Sequence, residues 1–469
     1  MPIRSRPSVR RLRRRHRNLV VVVVAAAVAV LGGCQSSGAT KPAATAPGVV
    51  TVTAASHVRT LSDCRDLTPA LCYGVRQFLT AYGIEPLLSR GIDGRGQSVV
   101  LLEQVASQTT STTNTDIRHD LAVFDGLFSL PAARLQVITR FAGASSPYLA
   151  AGEEAGDAEI VHAVAPAATI RIILLPQSTG NLRAIGALFI EALRLAPSLG
   201  GIVSSTAAVG ERCVTPAGAA ELNSALQYDE ERHVTVVASS GDDGAAGTSC
   251  SGAESTPLPV RGVMLPASDP LVLAVGGTTL EADHATGAYI GETAWNKPAP
   301  RLPAGAPTPP ASAQAQLLPR ASTGGFSSLF PRPAYQDGVP GIGHLRGVPD
   351  VSADAGNTSG MASAFSLTPG NVVTPADGTS AGAPFWAGIV ALADQYAGHA
   401  LGFINPAIYR VGRGPAYHSA FHDITTGDNT VTYPAATVTG YRADPGWDPV
   451  TGWGTPDAQV LVPLLAAGG

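Results

Sequence analysis

In this 469-residue chain, the segment Asp377-Gly-Thr-Ser-Ala-Gly-Ala-Pro384 has the composition best suited to covalent chemistry. Small residues surround Ser380, and the apolar run Phe385-Trp-Ala-Gly-Ile-Val-Ala-Leu-Ala393 that follows predicts a helix. Such a helix would present the Ser380 hydroxyl at its N-terminus, where backbone N–H groups favour developing negative charge. The chemistry would be nucleophilic attack followed by stabilisation of an oxyanion. A serine at this place also serves as an N-cap, so the segment alone leaves both uses open.

A nucleophilic serine needs a base. The chain has ten histidines, and none stands in a His-Gly-Thr context. The stretch Gly152-Glu-Glu-Ala-Gly-Asp-Ala-Glu-Ile-Val-His-Ala-Val-Ala-Pro166 offers another base. At about 100° per residue, Glu153 and Asp157 lie about 40° apart and share a stripe with Ile160 and Val164. A face that should be apolar therefore carries two carboxylates. Two such groups one turn apart in a partly dry site cannot both ionise easily, so one keeps a proton. The pair can take a proton from Ser380 and hand it to a leaving amine, most effectively at acid pH. Glu154 and Glu159 read as a solvated acidic face, and His162 points to the opposite side as a bystander. A third acid, Asp242, follows a predicted strand in Ser240-Gly-Asp-Asp-Gly244. It suits an Asx-type turn; kept neutral, it could instead donate a hydrogen bond to an oxyanion.

These residues need a frame. Apolar strand-like runs at 98–103, 135–139, 169–175, 201–205 and 234–239 alternate with helical patterns near 117–128, 151–165, 181–196 and 217–231. That alternation predicts an α/β fold with a parallel sheet and helices on both faces. Active sites of such sheets lie outside the C-terminal ends of the strands. There is no internal repeat and no second composition regime, so one catalytic domain over 66–469 is expected. The Pro- and Ala-rich stretch 297–322 reads as a surface insertion.

Composition limits the function classes. Apolar residues make up 45% and charged residues 14%, which excludes a disordered or coiled-coil chain. Residues 1–33 hold eight arginines and no acid, leaving 23 of the 31 basic groups against all 35 acidic ones, a balance of −12. Such a body repels nucleic acid and anionic lipid. The basic Arg4–Arg17 region and the apolar stretch 19–31 read as a signal peptide over 1–33, too short to span a bilayer. Leu31-Gly-Gly-Cys34 resembles a lipobox, which predicts lipidation of Cys34 and an exported, outward-facing membrane lipoprotein, or a secreted protein if the box is unused. Residues 34–65 read as the lipid-attachment cysteine and a flexible tether. Four further cysteines allow three disulfide pairings. Cys64–Cys72 and Cys213–Cys250 close the shortest loops and are favoured. No Cys-x-x-Cys pair is present for structural zinc.

Taken together, the motifs resemble the sedolisin family of serine-carboxyl peptidases. The resemblance rests on Glu153, Asp157 and Ala165-Pro166; on Ser240-Gly-Asp242; and on Gly378-Thr-Ser380 through Pro384. Further similar stretches are Gly94–Glu103, Val275-Gly-Gly-Thr278, Thr323-Gly-Gly-Phe-Ser327, Arg332–Gln336 and Val348–Ala355, so that coverage runs from about Leu67 to Leu464. The resemblance implies a subtilisin-like parallel sheet in a single catalytic domain, acting on peptide or protein substrates as an endopeptidase or a tripeptidyl-peptidase. It implies Ser380 as nucleophile, Glu153 as base, Asp157 supporting Glu153, Asp242 in the oxyanion hole and Glu103 extending the acid network. It also implies a calcium ion within 420–456, held by the Asp423 and Asp448 side chains and the carbonyls of Ile424, Asp444 and Gly446. Oxygen-rich loops of this kind suit Ca2+. A monomer is expected. The chain departs from the family pattern in three ways. Only a short segment separates Cys34 from the matching region where members usually carry a large prodomain, so folding assistance and zymogen control are expected to differ. Ser204–Glu211 lacks the aromatic residue often found there. The insertion before Thr323 is positioned to reshape the cleft. Two rival readings are a neutral subtilisin-like protease with a His base and a catalytically silent surface protein that uses the fold for binding.

Overall fold

The computed structural model describes residues 50–52, 72–104, 115–141, 149–150, 152–176, 182–248, 250, 257–300, 318–367, 370–433 and 436–468. Ser98–Gln104 (β1), Arg134–Ile138 (β2), Thr169–Leu175 (β3), Ile202–Ser205 (β4), Thr235–Ser239 (β5), Val272–Ala282 (β6), Tyr289–Ala294 (β7) and Val351–Asp354 (β8) form an eight-stranded sheet. Its order is β7-β6-β5-β4-β1-β3-β2, with β8 also beside β6. Every pairing is parallel except the β6–β7 hairpin. The connections carry helices α1 (Ile117–Phe128), α2 (Gly152–Val164), α3 (Leu182–Leu195) and α4 (Pro216–Glu230), and α5 (Thr379–Ala397) follows β8.

The strands read as unbroken apolar runs because both faces are buried. Val99, Leu101, Ile170 and Ile172 enter one core with Phe124 of α1, Val164 of α2 and Trp386 of α5. Their neighbours Val100, Leu102, Ile173 and Leu175 enter a second core with Leu193 of α3 and Leu226 of α4. Period-two alternation thus divides one sheet between two helical layers. Local signals start the helices: Asp116 accepts the Arg118 N–H ahead of α1, and Thr215 accepts the Gly218 N–H ahead of α4, whose first residue is Pro216.

Helices α2 and α5 run side by side against the strand direction. The Gln395 side-chain oxygen, in the last turn of α5, accepts N–H groups of Asp93 and Gly94 just before β1, at 2.7 and 2.6 Å. Ala165, at the end of α2, meets Gly94 in the same place. Both N-termini therefore stand at the C-terminal edge of the sheet, the edge where parallel sheets place their sites.

One expectation is corrected. Glu154 and Glu159 do not form a solvated face: Glu154 is buried and Glu159 is 0% exposed. Helix α2 is packed on several sides, by α1, by α5 and by the strand Ala362–Leu367. Glu159 accepts the Ser363 hydroxyl at 2.7 Å and the Ala364 N–H at 2.9 Å. Burial pushes its carboxyl well above the usual range.

The ends of the insertion are joined by a ladder of Asn296–Lys297 with Arg320–Ala321, and residues 301–317 lie outside the described residues. So do the leader, Cys34 and Cys64. Within the expected tether, Val50–Val52 pairs antiparallel with Asn371–Val373, as its β-branched sequence favours. Cys213 and Cys250 form a disulfide with Cα atoms 4.9 Å apart. Cys72 is also disulfide-bonded. Among the described residues no helix is long and apolar enough to cross a membrane.

Candidate active site

Ser380 is the second residue of α5 and is half-buried. The residue before the helix, Gly378, has φ 87°, which side-chain-bearing residues rarely adopt. A Cβ there would stand 2.9 Å from Asp242 Oδ2 and 3.3 Å from Ser380 Oγ. The serine hydroxyl and one carboxyl oxygen of Asp242 thus both crowd the same side of Gly378.

The loop after β5 is tied to the start of α5 through Thr379. Asp242 Oδ1 accepts both the Thr379 N–H and its hydroxyl at 2.9 Å, and the Thr379 hydroxyl accepts the Gly241 N–H at 3.0 Å. These bonds use one oxygen of Asp242 and leave Oδ2 on the side of Ser380. Arg320 Nη1 lies 3.5 Å from that Oδ2. Burial and the charge of Asp242 push neighbouring Asp243 up to about 7, against the pull of Arg320. Burial likewise raises Asp377, opposed by Arg320 and Lys297.

Asp157 is 2% exposed on α2. It lies seven residues, or two turns, before Val164, and so on the same stripe. Val164 packs directly on Gly388 of α5, where a Cβ would come within 2.6 Å of its Cγ1. The stripe carrying Asp157 therefore faces α5. Ser380 is eight residues ahead of Gly388, about 12 Å at the helical rise. The same distance along α2 from Val164 reaches Gly156, so Ser380 and Asp157 stand nearly level. Glu153 falls in the first turn of α2, on the same stripe; its side chain lies outside the described residues. Glu103, 3% exposed, is the penultimate residue of β1, at this same edge of the sheet.

His162 is placed elsewhere. It is fully buried, with Nε2 2.8 Å from the Pro131 carbonyl and 3.1 Å from Asp125 Oδ1. This side of α2 faces α1, as expected from its position on the helix.

The pattern of the Subtilase family matches residues 148–408, a span that begins just before α2 and contains Asp242 and Ser380. The chain belongs to the subtilase family. Within it, the resemblance to sedolisins is borne out. Kumamolisin of Bacillus sp. (strain MN-32) is 31% identical over 388 residues, covering 80% of this chain and 61% of kumamolisin. Sedolisin of Pseudomonas sp. (strain 101) is 32% identical over 236 residues, covering 50% of this chain and 35% of sedolisin. Tripeptidyl-peptidase 1 of Homo sapiens is 29% identical over 265 residues, covering 52% and 39%. The chain thus spans less than two thirds of the length of these curated relatives. A structure of Pseudomonas sedolisin, solved with two molecules of pseudo-iodotyrostatin, superposes with a TM-score of 0.67 at 23% identity. That match covers 85% of this chain and 99% of the other, and it establishes the subtilisin-like fold.

Three features of this subtilase site were not singled out from sequence. Thr379 links Asp242 to α5, Gly378 lets Asp242 and Ser380 come close, and Arg320 approaches Asp242. The first two lie inside the Gly-Thr-Ser motif. The only sequence signal for Arg320 is a cation at the end of a Pro- and Ala-rich stretch in an acidic body.

Two segments of the region expected to bind calcium lie together. The Gly446 N–H points at Asp423, 3.1 and 3.2 Å from its two oxygens, bringing the 423 and 444–448 segments together. Burial raises the Tyr417 phenol, and the nearby carboxylates of Asp423 and, less, Asp448 add to the rise. Asp448 Oδ1 accepts the Val450 and Thr451 N–H groups, and burial pushes its carboxyl up to about 7. The residues expected to bind, two carboxylates and three carbonyl-bearing positions, offer hard oxygen donors of the kind that suits calcium. No cluster of three or more His, Cys, Asp or Glu side chains suited to a metal occurs among the described residues.

Proposed function

We propose that this chain hydrolyses peptide bonds in acid through an acyl-enzyme on Ser380. Glu153 takes the Ser380 proton as Oγ bonds to the substrate carbonyl carbon. Asp157, one turn away on the stripe facing α5, supports that carboxyl by sharing a proton with it. Charge passes to the carbonyl oxygen, and a protonated Asp242 donates to it through Oδ2. Collapse breaks the C–N bond, the amine leaves with the proton from Glu153, and water then releases the acyl group by the same steps in reverse order. Serine-carboxyl chemistry of this kind is best served below neutral pH, where a carboxyl can donate a hydrogen bond as well as accept one.

One observation carries the reading: Asp242 Oδ2 and Ser380 Oγ stand close together beside Gly378, 2.9 and 3.3 Å from where its Cβ would be. Asp157 at the level of Ser380 supports it, and His162, bound to Asp125 and Pro131, argues against a histidine base. The substrate is a peptide or protein. Asp423 and Asp448, with carbonyls of Ile424, Asp444 and Gly446, would hold calcium, which when bound cross-links two loops and leaves the chemistry to the carboxylates. The basic leader and Leu31-Gly-Gly-Cys34 support export and attachment through a lipid on Cys34.

Incubation with a peptide library between about pH 3 and pH 7, beside Ser380→Ala, tests the function. Cleavage products that appear with the native chain and vanish with the variant are expected. Absence of any Ser380-dependent product across that range would overturn it. Mass spectrometry of the mature N-terminus tests the anchor, and an intact basic leader would refute lipidation.

A further inference from the structure

Arg320 ends the Pro- and Ala-rich insertion, and its strand is bonded into the loop that carries Asp242. The Ala321 N–H donates to the Asp242 carbonyl at 2.9 Å, and the Gly244 N–H donates to the Ala321 carbonyl at 2.9 Å. From this anchored position the guanidinium reaches Asp242 Oδ2, with 31% of the arginine side chain exposed. Thr379 already occupies Oδ1. The cation therefore approaches the oxygen that flanks Ser380, not the one used to hold the loop. Three other charged groups share this neighbourhood. Asp243 follows Asp242 on its loop, Asp377 precedes α5, and Lys297 pairs with Arg320 across the ladder. Arg320 contacts Asp242 directly and draws down Asp243 and Asp377 against their burial.

We propose that Arg320 is a positioning residue of the oxyanion side, which orients Asp242 Oδ2 beside Ser380 and whose charge limits the pH range in which the centre works. This rests on the assignment of Asp242 as oxyanion donor made above. An opposite charge at this distance favours the ionised carboxylate, whereas only the protonated form can donate. The charge of Arg320 thus limits the centre to acid. The foot of the insertion becomes a device that tunes the working pH of the centre.

The test is the pH profile of kcat/KM for the full chain, for R320Q and for R320K. In R320Q the limb on the basic side moves up by about one pH unit, and R320K, which keeps the charge, returns it toward the native position. A merely structural role would scale kcat/KM by one factor at every pH. R320M, which keeps the packing of the arginine stem, replaces R320Q if that variant does not fold. Coincident limbs for R320Q and the native chain, with Ser380-dependent cleavage intact, overturn the proposal and leave the peptidase reading standing. If the native chain shows no Ser380-dependent cleavage, the peptidase reading fails instead. A double-mutant cycle of R320Q and D242N, read by urea unfolding, then decides: coupling sustains the Arg320–Asp242 contact, and additivity overturns it.

Discussion

Val164 of α2 and Gly388 of α5 meet so closely that a Cβ on the glycine would stand 2.6 Å from Val164 Cγ1 and 2.7 Å from its Cβ. That contact sets the lateral spacing of the two helices that carry Asp157 and Ser380. Because both helices rise by the same amount per residue, it also sets which turns stand level. The acid stripe and the serine are kept in register from a point about 12 Å away.

Gly388→Ala is therefore expected to destabilise the fold. A helix gains up to about 1 kcal/mol from replacing Gly by Ala, but overpacking a filled interface costs about 1–3 kcal/mol. Both the branch and the Cβ of Val164 would be struck, so the cost wins. Urea and thermal unfolding should show the loss, and an equal or higher Tm would refute the register argument.

Substitutions around the proposed nucleophile should separate its partners. Asp242→Ala removes a donor to the oxyanion, and its kcat should fall by about 10²–10³ with little change in KM. Glu153→Gln should lose at least as much, because Glu153 is the group proposed to take the Ser380 proton. His162→Gln, measured on folded protein, should retain the native kcat. Collapse of activity in the His162 variant would favour a histidine base and sink the carboxylate mechanism.

Stability should rise toward acid. Burial pushes Asp229 up to about 8, and Asp354 and Asp394 up to about 7, from a usual value of 3.8. The folded chain binds more protons than the unfolded chain between those values. Their contribution is fully present below about pH 4 and is lost as pH rises to about 7 or 8. Unfolding free energies across that window should decline with pH, more gently in Asp394→Asn. A rise in stability from acid to neutral pH would contradict these buried carboxylates.

Tight chelation should lower the Tm, and added calcium should restore it. Asp448→Asn should have a low Tm that no longer responds to calcium. Identical melting curves with and without chelator would count against the site. Asp423 and Asp448 would then be structural acids of two turns.

The Cys213–Cys250 bond, with a sequence separation of 37 residues, should contribute about 3–4 kcal/mol by restricting the unfolded chain. Comparison of unfolding for the native chain and a Cys213→Ser, Cys250→Ser double variant measures this. A difference near zero would show that the loop is already constrained when unfolded.

By itself the sequence determined whatever follows from local period and spacing. Continuous apolar runs announced buried strands, and helical patterns near 117–128 and 217–231 announced helices between them. The stripe of Glu153, Asp157, Ile160 and Val164 announced a helix face with misplaced acids. Those properties depend on residues within a turn or two of one another. Tertiary structure alone decided what depends on residues far apart in the chain. Thr379 binds Asp242 across 137 residues, and Arg320 reaches the same carboxylate across 78. Glu159 looked solvated until Ser363 and Ala364, more than 200 residues on, supplied its hydrogen bonds. A helical period shows which side chains share a face. Only packing against other elements establishes whether that face meets water, and so whether a carboxylate keeps its proton.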